Sequence, residues 1–383
     1  MSETVRIVSP QPLVDRAGEP HAGVMTSHAQ VLVYGAAGHT GRFVVDELMS
    51  RGVAPVLAGR DARALDTMGG RFAGLDRRVF ALTEDRLPSR LHEVGVVINC
   101  AGPFLDTALP LASAAVTAGA HYLDVTAEQP AVWQLYESLD APSRAAGVSV
   151  VPAMAFYGGL ADLMVSAALA EASRPFECSV EIAVALDSWH PTAGTRTTGA
   201  RNTAPRRRIR EGRLAVLGGH GAREQWSFPA PFGAQPVTEL TFSEVPTTHR
   251  HLDVQDLTSY ITTAPLAQLR DPSTPQPVAA DASGPSGQQF VLDVAVIVDG
   301  HLRRSSAAGR DIYASTGPLV VEGAVRLLHG QGLESGAIAP GEAFDATHLL
   351  HALDRHPLGP TMTGIGPAFE EAASRPVSGG ARP

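Results

Sequence analysis

The sequence predicts an α/β protein: a Rossmann-type doubly wound parallel sheet joined to a second α+β lobe that contains a mixed or antiparallel sheet. Three observations predict it. A glycine-rich turn, VLVYGAAGHTGRF (31–43), sits between a short apolar run and an amphipathic stretch. From Gln30 onward, short β-branched runs alternate with longer amphipathic stretches, the cadence of repeated βαβ units around a parallel sheet. After Met154 that cadence gives way to longer strand patterns separated by long loops, as in a mixed sheet.

Taken in order, VLVYG (31–35) is the first strand, and Val44, Val45, Leu48 and Met49 stand at helical spacing behind it. APVLAG (54–59) is the next strand, followed by a helix over 61–68 and the strand VVINCAG (96–102). The helix TALPLASAAVTAGA, the strand HYLDV (121–125), a helix over 130–146 and GVSVVPA (147–153) complete the nucleotide-binding half. GLADLMVSAALAEA then forms a helix, and FECSVEIAVALDS alternates like an antiparallel strand with one wet face. VTELTFSEV and QQFVLDVAVIVDG are further strands, and 271–287 is an exposed low-complexity loop. A helix over 312–329, striped by Val320, Ala324, Leu327 and Leu328, and another over 343–353 follow. The expected organisation is an arm (1–29), a Rossmann domain (30–155), a substrate lobe (156–310), returning helices (311–360) and a flexible tail (361–383).

Composition narrows the function. The 383 residues are 44% hydrophobic and 18% charged, as in a globular protein, and exceed one ordinary domain. Thirty basic against 39 acidic residues give a formal charge of −9, which offers no global support to a nucleic-acid surface. Cys100 and Cys178, both in apolar runs, read as reduced core residues of a cytoplasmic protein and supply no zinc site. The first thirty residues lack the apolar core of a secretory signal, and no stretch is apolar enough to cross a bilayer, so no membrane role is expected. Met25 stands as an alternative start.

Three motifs carry the chemistry. In the glycine turn, Gly35 ends the strand, Gly38 lets backbone approach a phosphate, and Gly41 lets the helix pack on the sheet. With Ala37, His39 and Thr40, they form a cradle for a pyrophosphate at a helix N-terminus. At the end of the second strand, VLAGR offers Arg60 where NAD enzymes place an acid; an arginine there suits the 2′-phosphate of NADP(H). Asp61 beside it argues the other way. INCAGPF (98–104) brings Asn99, Ala101, Gly102, Pro103 and Phe104 to the carboxyl edge of the sheet, where a compact loop can lie against the ribose and nicotinamide.

GAAGHTGRF, VLAGR, VVINCAGPF, HYLDVTAE and the return segment GRDIYASTGPLVVEGAVRLL together resemble the saccharopine-dehydrogenase-like oxidoreductases, a group that includes trans-acting enoyl reductases. The resemblance covers most of 30–355, strongly in the first half. It implies NAD(P)H as hydride donor and an active site in the cleft between two lobes; homologues of this kind act on imines, carbonyls or activated alkenes.

Hydride addition needs a proton delivered to the partner atom. Tyr157, after the last strand of the first domain, is the leading proton donor, and Asp124 and Glu128 stand where they can hold the nicotinamide ribose or substrate. Asp124 is also a natural turn cap. SWHPTAGTRTTGARN (188–202) reads as a polar, aromatic loop, with His190 as a second catalytic candidate, Trp189 as a wall, and Thr195, Arg196 and Asn202 as substrate contacts. Arg206, Arg207, Arg208 and Arg210 attract a carboxylate, a phosphopantetheine or a carrier protein, or line a solvated strand face. His249 and His251 fall on one side of a strand and, without a third ligand, serve as hydrogen-bonding groups; no metal is expected. The sequence thus predicts an NADP(H)-dependent reductase of a C=N or C=O bond in a small polar metabolite, in specialised biosynthesis. A C=C reductase of a carrier- or CoA-linked substrate and a non-catalytic NADP sensor stay open, as do a carrier protein and a homodimer.

Overall fold

The computed structural model describes residues 30–366 apart from 73, 171, 173–176, 219–222 and 282–283. The expected arm, Met25 and tail residues 367–383 lie outside the described residues. Six strands open the fold: β1 (Gln30–Tyr34), β2 (Val56–Gly59), β3 (Arg77–Val79), β4 (Val94–Asn99), β5 (His121–Asp124) and β6 (Ser149–Val151). They run parallel in the order β6-β5-β4-β1-β2-β3, so the strand order reverses between β1 and β4. The register there is tight, with Tyr34 opposite both Ala58 and Asn99. Such a reversal leaves a crevice at the carboxyl ends of the strands, where α/β folds bind their ligands.

Helix α1 (His39–Ser50) buries Val44, Val45 and Leu48 against this sheet, as their spacing requires. Helix α2 (Ala62–Arg71) starts at Asp61, whose carboxylate accepts from the Ala64 N–H at 3.0 Å. Helices α3 (Phe104–Thr117) and α4 (Gln129–Ala146) cover the other side, α4 closing on Gly147 in the left-handed conformation.

The chain leaves this domain through one π-helical turn, Phe156–Leu160, and helix α5 (Ala161–Leu169). The second sheet holds β7 (Cys178–Leu186), a hairpin of β8 (Arg207–Arg210) and β9 (Arg213–Val216), then β10 (Gln225–Ser227), β11 (Ala234–Glu239) and β12 (Asp256–Thr262). The long pair β13 (Gln289–Val298) and β14 (His301–Arg310) completes its centre. The order is β10-β11-β12-β7-β13-β14. β7 is central, parallel to β12 and antiparallel to β13, and its second half is buried on both faces. The single wet face expected of FECSVEIAVALDS holds only over its first residues, where Ser179 and Glu181 are half-buried, and fails beyond them, where Ala183 and Ala185 pack with Trp226 and Phe228.

Two further expectations fail for local reasons. The segment 188–202 contains a helix, α6 (Ala193–Arg201), started by Thr192, whose hydroxyl accepts from the Thr195 N–H at 3.0 Å. His249 and His251 lie on helix α7 (Glu244–His251), where positions two apart face different ways; His249 meets Trp133, and His251 meets Asp162 at 3.0 Å. Helix α8 (Thr263–Arg270) follows β12.

The chain then returns. Helix α9 (Thr316–Leu328) lies on α1 so closely that a Cβ at Gly317 would stand 3.2 Å from the Phe43 carbonyl oxygen. Strand β15 (Gly336–Ala337) joins the first sheet beside β6, and β16 (Thr361–Thr363) joins the second beside β14. Ordered chain thus reaches past the expected boundary at 360. One continuous apolar core runs from Val31 and Leu57 through Met154 and Phe156 to Ile182, Val294 and Leu349. The two lobes therefore share a core, which holds the crevice between them in place.

Candidate active site

The glycine turn is built by close contacts. Gly35 has φ +81°, and a Cβ there would lie 3.0 Å from the backbone N of Ala101. A Cβ on Gly41 would stand 2.2 Å from the Gly35 carbonyl oxygen, so α1 can start this near the strand only with glycine at that position. Gly38 caps α1 without a side chain and is exposed; Ala37 beside it is half-buried. The first bond into the helix runs from Arg42 N to Gly38 O at 3.1 Å, which leaves the N–H groups of His39, Thr40 and Gly41 to an anion. His39 packs edge-on against Phe43 and Tyr313, and its buried Nε2 has no partner. Burial and the nearby Arg42 hold the His39 pKa down against the pull of Asp311. Such a turn fits a dinucleotide pyrophosphate.

Arg60 stands exposed at the end of β2. Asp61 beside it caps α2, its Oδ1 accepting from the Ala64 N–H.

Asn99 and Asp124 are placed differently from expectation. Asn99 is fully buried; its Oδ1 accepts from Ala101 N at 3.0 Å and its Nδ2 donates to the Tyr122 hydroxyl at 3.0 Å. That hydroxyl donates to Asp124 Oδ2 at 3.0 Å, and Asp124 Oδ1 accepts from Thr126 N and Ala153 N at 3.1 and 2.8 Å. Asp124 is fully buried as well, and burial pushes its pKa up to about 6 against the bonds it accepts. Both side chains are fully buried and bonded inside the fold. What they do is pin the carboxyl ends of β4, β5 and β6, and with them the loop Cys100–Pro103, whose Ala101 and Gly102 remain half-buried at the crevice. Phe104 begins α3, and its N–H donates to Glu128 Oε1 at 2.7 Å. Glu128 thereby anchors the start of α3, while its Oε2 is buried without a partner.

Beside this loop opens a cavity of about 780 Å³. Thr40, Cys100, Gly102 and Phe104 line it from the nucleotide domain, and most of the rest of its wall is apolar. Tyr157, Trp189 and Phe242 form an aromatic face: the Tyr157 ring stacks on Phe242 at 4.1 Å and lies 6.2 Å from Trp189. The Tyr157 hydroxyl is buried with no partner, and burial raises its pKa well above the usual tyrosine value, so it keeps its proton at neutral pH. Trp189 donates from Nε1 to the Tyr313 hydroxyl at 3.3 Å, and Thr195 shares that hydroxyl at 3.0 Å. Asn202 ends α6 in the cavity wall with its Oδ1 buried and unpartnered.

Two candidates do not take the roles expected. His190 is not among the residues lining the cavity. Arg196 lines it, but its guanidinium donates to the carbonyls of Asp271 and Thr274 past the end of α8, so it fastens α6 to the second lobe. Arg201 pairs with Asp106 of α3, and a Cβ on Gly102 would meet Thr198 Oγ1 at 3.0 Å. Helix α6 thus spans from lobe to lobe across the cavity.

Two residues were not legible as site builders. Gln129 clamps the lobes: its Nε2 donates to Arg207 O, Thr241 Oγ1 and Phe242 O at 3.0, 3.2 and 2.8 Å, and its Oε1 accepts from Arg207 N. Phe242, held by that clamp, is the ring on which Tyr157 stacks. Nothing local in the sequence marks a contact across 113 positions. Among the described residues no group of three or more His, Cys, Asp or Glu could hold a metal ion, and no helix is long and apolar enough to cross a membrane.

Comparison with known proteins bears on this geometry. Residues 31–151 match the family described as "Saccharopine dehydrogenase NADP binding domain". A "Lipid droplet localized protein" of Caenorhabditis elegans is 28% identical over 153 residues, 37% of this chain and 36% of the worm protein. The match therefore spans about a third of that relative's length. The fold is similar to that of apo histidine-tagged saccharopine dehydrogenase (L-Glu forming) from Saccharomyces cerevisiae, with a TM-score of 0.62 at 13% identity, over 88% of this chain and 99% of the yeast one.

Proposed function

We propose, for a chain that belongs through residues 31–151 to the saccharopine-dehydrogenase-like oxidoreductases, an NADP(H)-dependent reductase of a C=N or C=O bond. One observation carries the reading: the substrate-sized cavity opens on Thr40 of the glycine turn and on Cys100 and Gly102 of the loop after β4, so a cofactor seated on the turn has its reactive end at the cavity. Bound there, the nicotinamide supplies hydride. The protein's own residues do the rest. The free N–H groups at the start of α1 and the exposed Arg60 hold the phosphates, and the pinned loop Cys100–Pro103 backs the ring. Tyr157 presents a proton from a hydroxyl that no protein group occupies. The shared core and α6 keep water from the reacting atoms.

The apolar wall favours a substrate with an apolar body over the small polar metabolite expected from sequence. The same wall keeps the C=C reading in play for a thioester-linked alkene. The test is to mix the protein and NADPH with keto acids, cyclic imines and enoyl thioesters and follow the nicotinamide absorbance. Consumption with a keto acid or imine supports the reading, consumption with the thioester alone replaces it by the second, and none with any panel member contradicts both.

A further inference from the structure

Arg206 is a half-buried cation of the cavity wall that has no ion pair among the described residues, whereas Arg270, the cation at the end of α8, is exposed. It precedes β8, where the Gln129 clamp on Arg207 fixes the backbone. Its guanidinium donates from Nη1 to the Thr241 carbonyl and lies over the Phe242 ring at 4.7 Å. Among the described residues it makes no ion pair. Glu244, the nearest acid acting on it, spends its carboxylate on the Phe242 N–H, with both oxygens at 2.9 Å. A carbonyl and a ring face answer only part of a guanidinium's demand, since most of its N–H donors remain open. Burial accordingly disfavours the Arg206 charge. A cation kept in a largely apolar wall with no carboxylate bonded to it is costly unless an anion arrives to complete it.

The surroundings say what else that anion must carry. Phe242 and Tyr157 stack beside Arg206, and Trp189 extends the aromatic face. Leu240, Leu266 and Leu269 add aliphatic wall. Tyr157 lines the same cavity, and its buried hydroxyl has no protein partner.

We propose that the cavity takes an organic carboxylate with an apolar ring or chain, its carboxylate paired with Arg206 and its body against Phe242, Tyr157 and Trp189. This deepens the reductase reading and rests on it: the reducible C=O or C=N then lies next to the carboxylate, as in a 2-oxo or 2-imino acid.

The experiment is a calorimetric titration of the full chain, held with NADP⁺, against phenylpyruvate, phenylacetone and pyruvate, for the wild type, Arg206→Met and Arg206→Lys. Phenylacetone lacks the carboxylate, and pyruvate lacks the ring. The wild type is expected to bind phenylpyruvate about tenfold or more tightly than either, the loss expected of a charge-assisted bond. Arg206→Met should bring phenylpyruvate down to the level of phenylacetone and leave phenylacetone unchanged, and Arg206→Lys should keep part of the preference. Unchanged phenylpyruvate binding in Arg206→Met, an equal loss for phenylacetone, or pyruvate binding as tightly as phenylpyruvate would overturn the proposal. NADPH consumption by the wild type with phenylpyruvate, followed at the nicotinamide absorbance, reads the reductase assignment separately, so binding without turnover fails that reading and leaves the Arg206 pairing standing.

Discussion

The carbonyl oxygen of Gly35 lies 2.2 Å from the point where a Cβ on Gly41 would sit, and 3.0 Å from the corresponding point on Gly38. The two glycines of the helix start are therefore not equivalent. Gly41→Ala drives a methyl group into backbone that cannot yield and should cost about 1–3 kcal/mol or more, the usual range for overpacking. Gly38→Ala, at an exposed position with a milder contact, should leave urea stability nearly unchanged. Equal urea midpoints for Gly41→Ala and the wild type would contradict the close packing of α1 on the strand.

The buried chain Asn99–Tyr122–Asp124 makes a prediction about pH. Burial holds the Asp124 carboxyl at about 6, above its value in the unfolded chain, about 3.9. Between those values the native state binds the extra proton, so stability falls as pH rises from about 4 to about 6 and then levels. About two pKa units correspond to roughly 3 kcal/mol of stability lost across that window. Asp124→Asn has no proton to lose. Urea unfolding at pH 4, 5, 6 and 7 should show the wild type losing stability relative to Asp124→Asn between pH 4 and 6; a constant difference between the two would contradict it.

Tyr157 should act in the transition state. Tyr157→Phe keeps the stack on Phe242 and removes only the unpartnered hydroxyl. Turnover should fall by about a hundredfold or more, as for loss of a general acid, with KM within about threefold. The check is steady-state kinetics on the substrate found in the NADPH panel. Unchanged turnover would remove Tyr157 from the mechanism.

The nucleotide half was legible because its signals are local. A strand, a glycine turn and a helix lie within twenty residues, and Gly38 and Gly41 both answer to the Gly35 carbonyl inside that stretch. Asn99 and Asp124 show where local reading stops: both stand at the carboxyl end of a strand, as a cofactor ligand would. Which side of the strand end a side chain takes depends on Tyr122, one strand away from Asn99, whose hydroxyl engages both. His249 and His251 failed for another reason, since spacing of two suggests a strand only when the segment is extended, and α7 is not. The cavity was least legible. Arg206, Phe242 and Trp189 come together through Gln129 and Tyr313, across separations no periodicity encodes.

Cofactor choice tests the account most directly. Arg60 is exposed at the end of β2, and Asp61 caps α2. A charge-assisted contact to a 2′-phosphate contributes roughly 1.5–3 kcal/mol, about a ten- to hundredfold preference. The measurement is a fluorescence titration of NADPH and NADH against the wild type and Arg60→Ala. The wild type should prefer NADPH by that factor, and Arg60→Ala should lose it through NADPH alone, with NADH binding nearly unchanged. A wild-type preference for NADH, or equal losses for both cofactors in Arg60→Ala, would contradict the account.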